Sequence, residues 1–404
     1  MTHATHFSIE SPQAAISSGP ARRGLVSKLF KPFWVLAITI LILNLGGLFG
    51  LGKLNALEKA LFLFAGILLF LGSPTNRASI AGMTIVFVSI VGFGLASTFY
   101  AFSWGRVFTA LAGLVSILIF FCVSPSHQNR VLILRSIALA TPMILMYGLI
   151  LHLLFGAPLF VKDHTGASRL GGAATIPAFL AAAAYASSIA AAQMFSFTNK
   201  RGYFLLVFFC IFVCFLSGTR MPSLVAAASS FAVLFFALRN GVSRMALVVL
   251  GLTAAVAFLF TFGDQLLIRL TSQSTSSRET LWNAVLRWAD YYPWSGVGFG
   301  HQIMLIPARM IRVTGTIAAH NEYVRLAAEL GYLGAGFVLI GLFLTLFGSV
   351  IRRGHTDTFL ALVVIGLYFL YGYSDNVLSV TYCLFGPLAY AIGSGLTANQ
   401  KLAR

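Results

Sequence analysis

ELGYLGAGFVLIGLFLTLFGSV, residues 329–350, is one unbroken apolar run whose single acid, Glu329, stands at its first position, and Arg352 and Arg353 follow it at once. About 20 predominantly apolar residues cross a bilayer core as a helix. A basic pair directly after such a run marks its cytoplasmic end. Working outward in both directions, the same punctuation by Gly, Pro and charge gives twelve expected spans, at 33–51, 56–72, 79–97, 104–123, 131–155, 173–195, 203–218, 221–238, 244–262, 329–350, 358–374 and 379–396. The whole chain agrees: 404 residues, 58% hydrophobic, 9% charged, mean hydropathy +0.90. Soluble domains carry about 25% charged residues, so the expected fold class is an all-α integral membrane protein.

The net charge of +17 is distributed between two faces. With the N-terminus inside, the inner segments hold 15 of the 27 basic residues, among them Arg22, Arg23, Lys28, Lys31, Arg77, Arg130 and Arg135, and only Glu10 and Asp357 beside them. That asymmetry predicts both termini cytoplasmic. The polar stretch 1–32 reads as a basic cytoplasmic tail with no signal-peptide core, and 397–404 as a second tail. Domains follow as spans 1–9 over 33–262, an outer segment 263–328, and spans 10–12 over 329–396. Cys122, Cys210, Cys214 and Cys383 all fall in or at the ends of apolar runs. They read as small core hydrophobes, not as a disulfide framework.

The outer face breaks the charge rule. Nine arginines lie there, Arg106, Arg169, Arg220, Arg269, Arg278, Arg287, Arg309, Arg312 and Arg325, mixed with Asp163, Asp264, Glu279, Asp290 and Glu322. Such a concentration points to a surface that handles anions, since the planar guanidinium grips phosphate or carboxylate with two bonds; a merely solvated face is the alternative. Two outer connections are long, 156–172 and 263–328. The second contains SSRETLWNAVLRWADYYPW, expected to be a helix capped by Ser276 or Ser277, with Glu279 in its first turn and a Trp/Tyr-rich face suited to the membrane interface. GVGFG (296–300) follows as an irregular turn; lacking a preceding strand, it is not a dinucleotide motif.

No phosphate-binding GxxxxGK[ST], CxxC, HExxH or GxSxG motif occurs, which argues against ATP-driven, zinc-dependent and esterase-type chemistry. Four sites remain. Arg220, in SGTRMPSL, ends one run and opens the next, so it sits at the outer mouth of two helices, either snorkelling or holding phosphate. Arg169, in SRLGG, precedes the sixth span beside glycines that let a substrate approach backbone. Arg278 opens the interfacial helix, and Arg287, further along it, reads as solvated. His320, flanked by Asn321 and Glu322, opens the helix leading into the tenth span; an imidazole titrates close enough to neutrality to take a hydroxyl proton. Asn321 or Glu322 would fix its tautomer. His164 and His301 are outer-side reserves.

Taken in order, SRLGG with Arg169, SGTRMPSL with Arg220, SRETLW with Arg278, PWSGVGFG, and HNEYVRLAAELGYLG with His320 resemble the signatures of the O-antigen ligase and O-antigen or exopolysaccharide polymerase superfamily, across roughly 165–350. In the first of these, Ile176-Pro177 stands where a Pro-Asn pair is frequent. The resemblance implies a glycosyltransferase at the outer face of a bacterial inner membrane. Its donor would be an undecaprenyl-diphosphate-linked glycan, and its acceptor a hydroxyl of lipid A core or of a growing polysaccharide. It further implies that Arg220 and Arg278, with Arg169 as a weaker member, hold the diphosphate, that His320 activates the acceptor, and that no metal, cofactor or nucleic acid takes part. A lipid-linked anion transporter or flippase is the reading from another class, disfavoured because transporters gather ionisable groups near the bilayer midplane.

Overall fold

The computed structural model describes residues 20–44, 52–162, 168–238, 240–253, 256, 260, 274–314, 318–351 and 355–402. Asp163, His164, Arg239, Asp264 and Arg269 lie outside them.

The described chain is predominantly helical. In order come α1 (Pro20–Leu43), α2 (Gly52–Gly72), α3 (Arg77–Leu95), α4 (Trp104–Leu118, extended by the 3-10 turn Ile119–Cys122) and α5 (His127–Phe155). Next come β1 (Phe160–Lys162), β2 (Ser168–Leu170), α6 (Pro177–Thr198), α7 (Arg201–Leu216), α8 (Arg220–Ala237) and α9 (Gly241–Thr253). The remainder are α10 (Ser274–Tyr291), α11 (Ala308–Thr314), α12 (Glu322–Gly348), α13 (His355–Gly372) and α14 (Thr381–Leu402). Seven of these, α2–α6, α8 and α12, are long and apolar enough to cross a membrane. Of the other five spans expected from sequence, three coincide with the shorter apolar helices α7, α9 and α13, and two overlap α1 and α14. Within the 156–172 connection Phe160–Lys162 pairs antiparallel with Ser168–Leu170, setting Arg169 opposite Val161. One expectation needs correction. The interfacial helix starts at Ser274, ahead of the serines expected to cap it.

Cross-links between elements define two ends. At one, Thr75 bridges Val123, the Asn76 side chain donates to the Gly348 carbonyl, and Lys31 reaches Gln128 at 3.4 Å. At the other, Asn44 donates to the Ala174 carbonyl at 2.8 Å, Ser97 to the Gly296 carbonyl at 3.1 Å and Tyr382 to the Leu41 carbonyl at 3.1 Å. Arg169, Arg220, Arg278 and His320 all belong to this second end.

Two helices organise the interior. The alanine-rich α6 is almost entirely buried and packs against α5, α7, α8 and α14. α12 lies along α3 through glycines one heptad apart, Gly334, Gly341 and Gly348. A Cβ on Gly341 would come within 2.8 Å of the Gly82 carbonyl oxygen, and one on Gly82 within 2.5 Å of the Thr345 nitrogen. Backbones this close need small residues, the usual means of packing helices where lipid removes the hydrophobic drive. The four cysteines are buried and free, as their apolar surroundings predict.

Candidate active site

α12 is broken near its outer end, where Gly331 takes φ 70° and ψ 171° between two helical segments. Such a break leaves carbonyls in the preceding turn without helical partners. The turn 296–300 supplies them: Val297 N–H donates to Ala328 at 3.0 Å and Gly298 N–H to Glu329 at 2.7 Å. Tyr332 N–H in turn reaches the Pro293 carbonyl at 3.1 Å. Gly296, at φ 61°, lies so close to the Glu329–Leu330 peptide that a Cβ would overlap it. The glycines of GVGFG therefore serve close backbone contact. His301 completes this clasp, its ring stacked on Phe102, its Nε2 accepting from Ser103 N–H at 2.9 Å and its Nδ1 facing the Gly298 carbonyl at 3.0 Å. Burial pushes the His301 pKa down, with the Arg106 charge adding to the effect. This is a structural histidine, neutral with its proton on Nδ1, and not a second base.

His320 sits just before α12, in the left-handed region at φ 50°. That conformation is uncommon outside glycine and marks a position the surroundings impose. Asn321 is the helix cap: its Oδ1 accepts from Tyr323 N–H at 3.0 Å and Val324 N–H at 3.1 Å. The partner of the imidazole is a residue sequence reasoning passed over. Asp375, in the loop between α13 and α14, places Oδ1 3.3 Å from His320 Nδ1, with both side chains partly open to solvent. Asp375 and His320 are 55 positions apart, so no local pattern could have joined them.

The supporting role expected for Glu322 is corrected by its surroundings. Glu322 is buried and pairs with Arg325, accepting from its Nε at 2.8 Å and from an Nη, while its other oxygen accepts from Leu378 N–H at 3.0 Å. Arg325, read from sequence only as one of the outer arginines, is also buried. It donates to Ser379 at 2.9 Å, stands 3.6 Å from Glu329 and lies 5.1 Å above the Phe299 ring. Glu322 and Asn321 thus fix α12 and the 376–379 loop, and through them the place of His320, rather than its tautomer.

The arginines approach from two sides. Arg169, half-buried, lays its side chain across Gly218, whose added Cβ would meet the Arg169 stem at 3.1–3.3 Å. Gly218 takes φ 68° in the tight turn that delivers Arg220, exposed, at the head of α8. The structure therefore brings these two arginines together. α8 runs antiparallel to α13, with Phe236 against Phe359 at 6.4 Å. Arg220, at the start of α8, and Asp375, just past the end of α13, therefore lie at the same end of the helix pair. Arg278 is exposed, one turn before Trp282, whose indole donates to the Ala319 carbonyl at 2.8 Å and packs on Tyr373 at 5.6 Å. It stands beside the segment that carries His320. Arg287 is exposed further along α10, as a solvated residue would be.

One end of the bundle therefore carries Arg169, Arg220 and Arg278 together with an imidazole–carboxylate pair. Guanidinium groups neutralise a departing diphosphate, and the imidazole can take a proton from an incoming hydroxyl. No curated protein matches the chain. A family model described as O-antigen ligase matches residues 205–339, from the start of α7 well into α12, a stretch that includes Arg220, Arg278 and His320 and leaves Arg169 outside. Over that stretch the chain is similar to the O-antigen ligase family.

Proposed function

We propose that the protein is an O-antigen ligase-like glycosyltransferase that moves a glycan from undecaprenyl diphosphate to an acceptor hydroxyl, of lipid A core in the leading case, at the periplasmic face of the bacterial inner membrane. The observation that carries this reading is the His320–Asp375 pair, 3.3 Å apart, at the same end of the bundle as Arg220, which lies within the family-matched segment. Twelve spans, cytoplasmic termini and a periplasmic 263–328 segment belong to the same proposal, resting on the 15 basic and 2 acidic residues of the inner segments.

The chemistry follows from the leaving group. As the anomeric C–O bond breaks, negative charge grows on the diphosphate, and Arg220, Arg278 and Arg169 bind that charge more strongly in the transition state than in the intact donor. His320 takes the acceptor proton as the new C–O bond forms, and Asp375 holds the ring with its Nδ1 proton directed to the carboxylate, leaving Nε2 to face the hydroxyl. A single displacement inverts the anomeric centre. Charge neutralisation by arginine does the work that ATP or a metal does elsewhere. A polymerase extending an O-antigen or exopolysaccharide would use the same groups and differ only in its acceptor.

The test uses the full-length chain reconstituted in liposomes with a polyprenyl-diphosphate-linked glycan. His320→Ala should lower transfer about 10²–10⁴-fold while donor binding survives. Arg220→Lys should raise the barrier by about 2–4 kcal/mol despite conserved charge, because an ammonium cannot reproduce the two-pronged grip. Wild-type transfer by either variant in normally inserted protein rejects the assignment. Transfer should continue in EDTA and be supported by both lipid A core and free polysaccharide ends only if the enzyme is not selective between ligase and polymerase acceptors. A cysteine at Ser274 should label from outside intact cells; labelling only after permeabilisation overturns the topology.

A further inference from the structure

Beside the segment that follows Asp375 the bundle holds a cavity of about 220 Å³. Its floor is Arg325, Glu329 and Phe299, all buried; its walls are Lys59 of α2 and Gly113 of α4; Ile303 and Ser379, both exposed, stand at its mouth. None of the mechanism above uses it. Three features set it apart from an ordinary packing gap.

The first is its charge. A buried ion pair costs more desolvation than it recovers unless every group is satisfied, and ionisable groups at membrane depth are costly and usually functional. Here Glu329 is fully buried and its Oε1 accepts from Gln302 N–H at 2.9 Å. Its Oε2 has no hydrogen-bond donor among the described residues, only Arg325 at 3.6 Å. The second is the way room has been made for Lys59, which lies across Gly113 so closely that an added Cβ would meet its Cδ, Cε and Nζ at 3.3 Å each. Any larger residue at 113 would push the ammonium out of the cavity. The third is Gln302. Its Oε1 accepts from Asn376 Nδ2 at 3.2 Å and lies 3.5 Å from Ala319 N–H, so it joins the cavity to the neighbours of both Asp375 and His320.

From these features we infer that the cavity is a subsite for one uncharged sugar ring of a glycan substrate, bordering the segment that follows Asp375; the inference rests on the glycosyl-transfer reading. Its volume lies below the roughly 300–1,000 Å³ of pockets that take drug-sized ligands, so it admits one ring and no chain. Lys59, Arg325, Ser379 and Thr381 can donate, and the Ser379 and Thr381 hydroxyls can also accept, the two-way bonding that a ring of hydroxyls needs. Of the two cations in the lining, Arg325 is already paired with Glu322 and Glu329. Phe299 supplies an apolar face for the ring's C–H groups. The ring belongs either to the acceptor's terminal residue or to the donor's first sugar, and the hydroxyl chemistry is the same for both.

The experiment is saturation-transfer NMR on the full-length protein in nanodiscs, with glucose, galactose, mannose, N-acetylglucosamine and glucuronate as free probes. At least one neutral sugar should give transfer with wild-type protein. Ala110→Phe, which fills the cavity, and Lys59→Met, which removes a donor, should each reduce it at least tenfold in monodisperse protein. Displacement of the probe by lipid A core oligosaccharide assigns the ring to the acceptor, and displacement by lipid-linked donor assigns it to the donor; either supports the subsite. Absence of transfer for every neutral sugar, an undiminished signal in both variants, or stronger binding of glucuronate than of all neutral sugars overturns it. These readouts need no turnover. Sugar binding that persists alongside wild-type transfer by His320→Ala would reject the catalytic reading and leave the subsite standing.

Discussion

α6 and α12 are both sunk in the bundle, and they are held there by opposite means. α6 is buried from Leu180 to Met194 and carries no charge there; its serines make short hydroxyl bonds: Ser187 donates to the Ile137 carbonyl at 2.7 Å and accepts from Thr141 at 3.0 Å, and Ser230 donates to Ser188 at 2.9 Å. α12 buries Glu322, Arg325 and Glu329 in its first turns and is broken at Gly331. Alanine and serine let helices approach at little desolvation cost, which is what a scaffold needs. Buried charge and a broken helix are costly, and they occur at the end of α12 that carries His320. The difference separates the helix that holds the bundle together from the helix that presents the site.

Breaking each helix at its own weak point should therefore give effects of different size. The largest is expected from Arg325→Met, which strands two buried carboxylates; loss of one partner from a buried ionic cluster costs about 3–5 kcal/mol. A fall in the thermal midpoint of the detergent-purified protein measures it, and an unchanged midpoint would mean that the carboxylates find other partners. Asp375→Asn should come next. It keeps the shape but removes the charge that orients His320, so transfer should fall about 10–100-fold, short of the ~10⁴ seen where such a carboxylate is fully buried, because Asp375 is 20% exposed. The loss should appear in kcat with donor affinity unaltered; a loss confined to KM would make Asp375 a substrate contact instead. The smallest effect belongs to α6. Ser187→Ala should cost about 1 kcal/mol, from two hydrogen bonds between membrane helices averaging about 0.6 kcal/mol each, and should leave transfer at the wild-type rate. A cost as large as that of Arg325→Met would erase the contrast between the two helices.

Arg220 and His320 were legible in sequence because each is a charged or titratable residue interrupting apolar text, where position relative to a span end already says which way it faces. Asp375 was not, since YGYSDNVLS carries no local signal and its partner lies on another helix. Glu322 misled for the converse reason: adjacency to His320 in sequence suggested contact, but on a helix the neighbour along the chain faces elsewhere, and Glu322 turns inward to Arg325. GVGFG offered only the negative reading that no nucleotide motif was present. Its role as a backbone clasp depends on the break at Gly331, which lies 31 positions beyond Gly300.

The sequence by itself determined the helical membrane class, the approximate positions of the long apolar segments and the concentration of arginine opposite the basic termini, because hydropathy and charge act residue by residue through transfer between water and lipid. Tertiary structure alone decided which charges are paired. The choice among Glu322, Asp375 and Asn321 as neighbours of His320, the meeting of Arg169 with Arg220 across Gly218, and the cavity between Lys59 and Glu329 all arise where distant segments pack. A charge's partner is fixed by distance in space, and in a bundle that distance is set by how close glycine and alanine allow the helices to come.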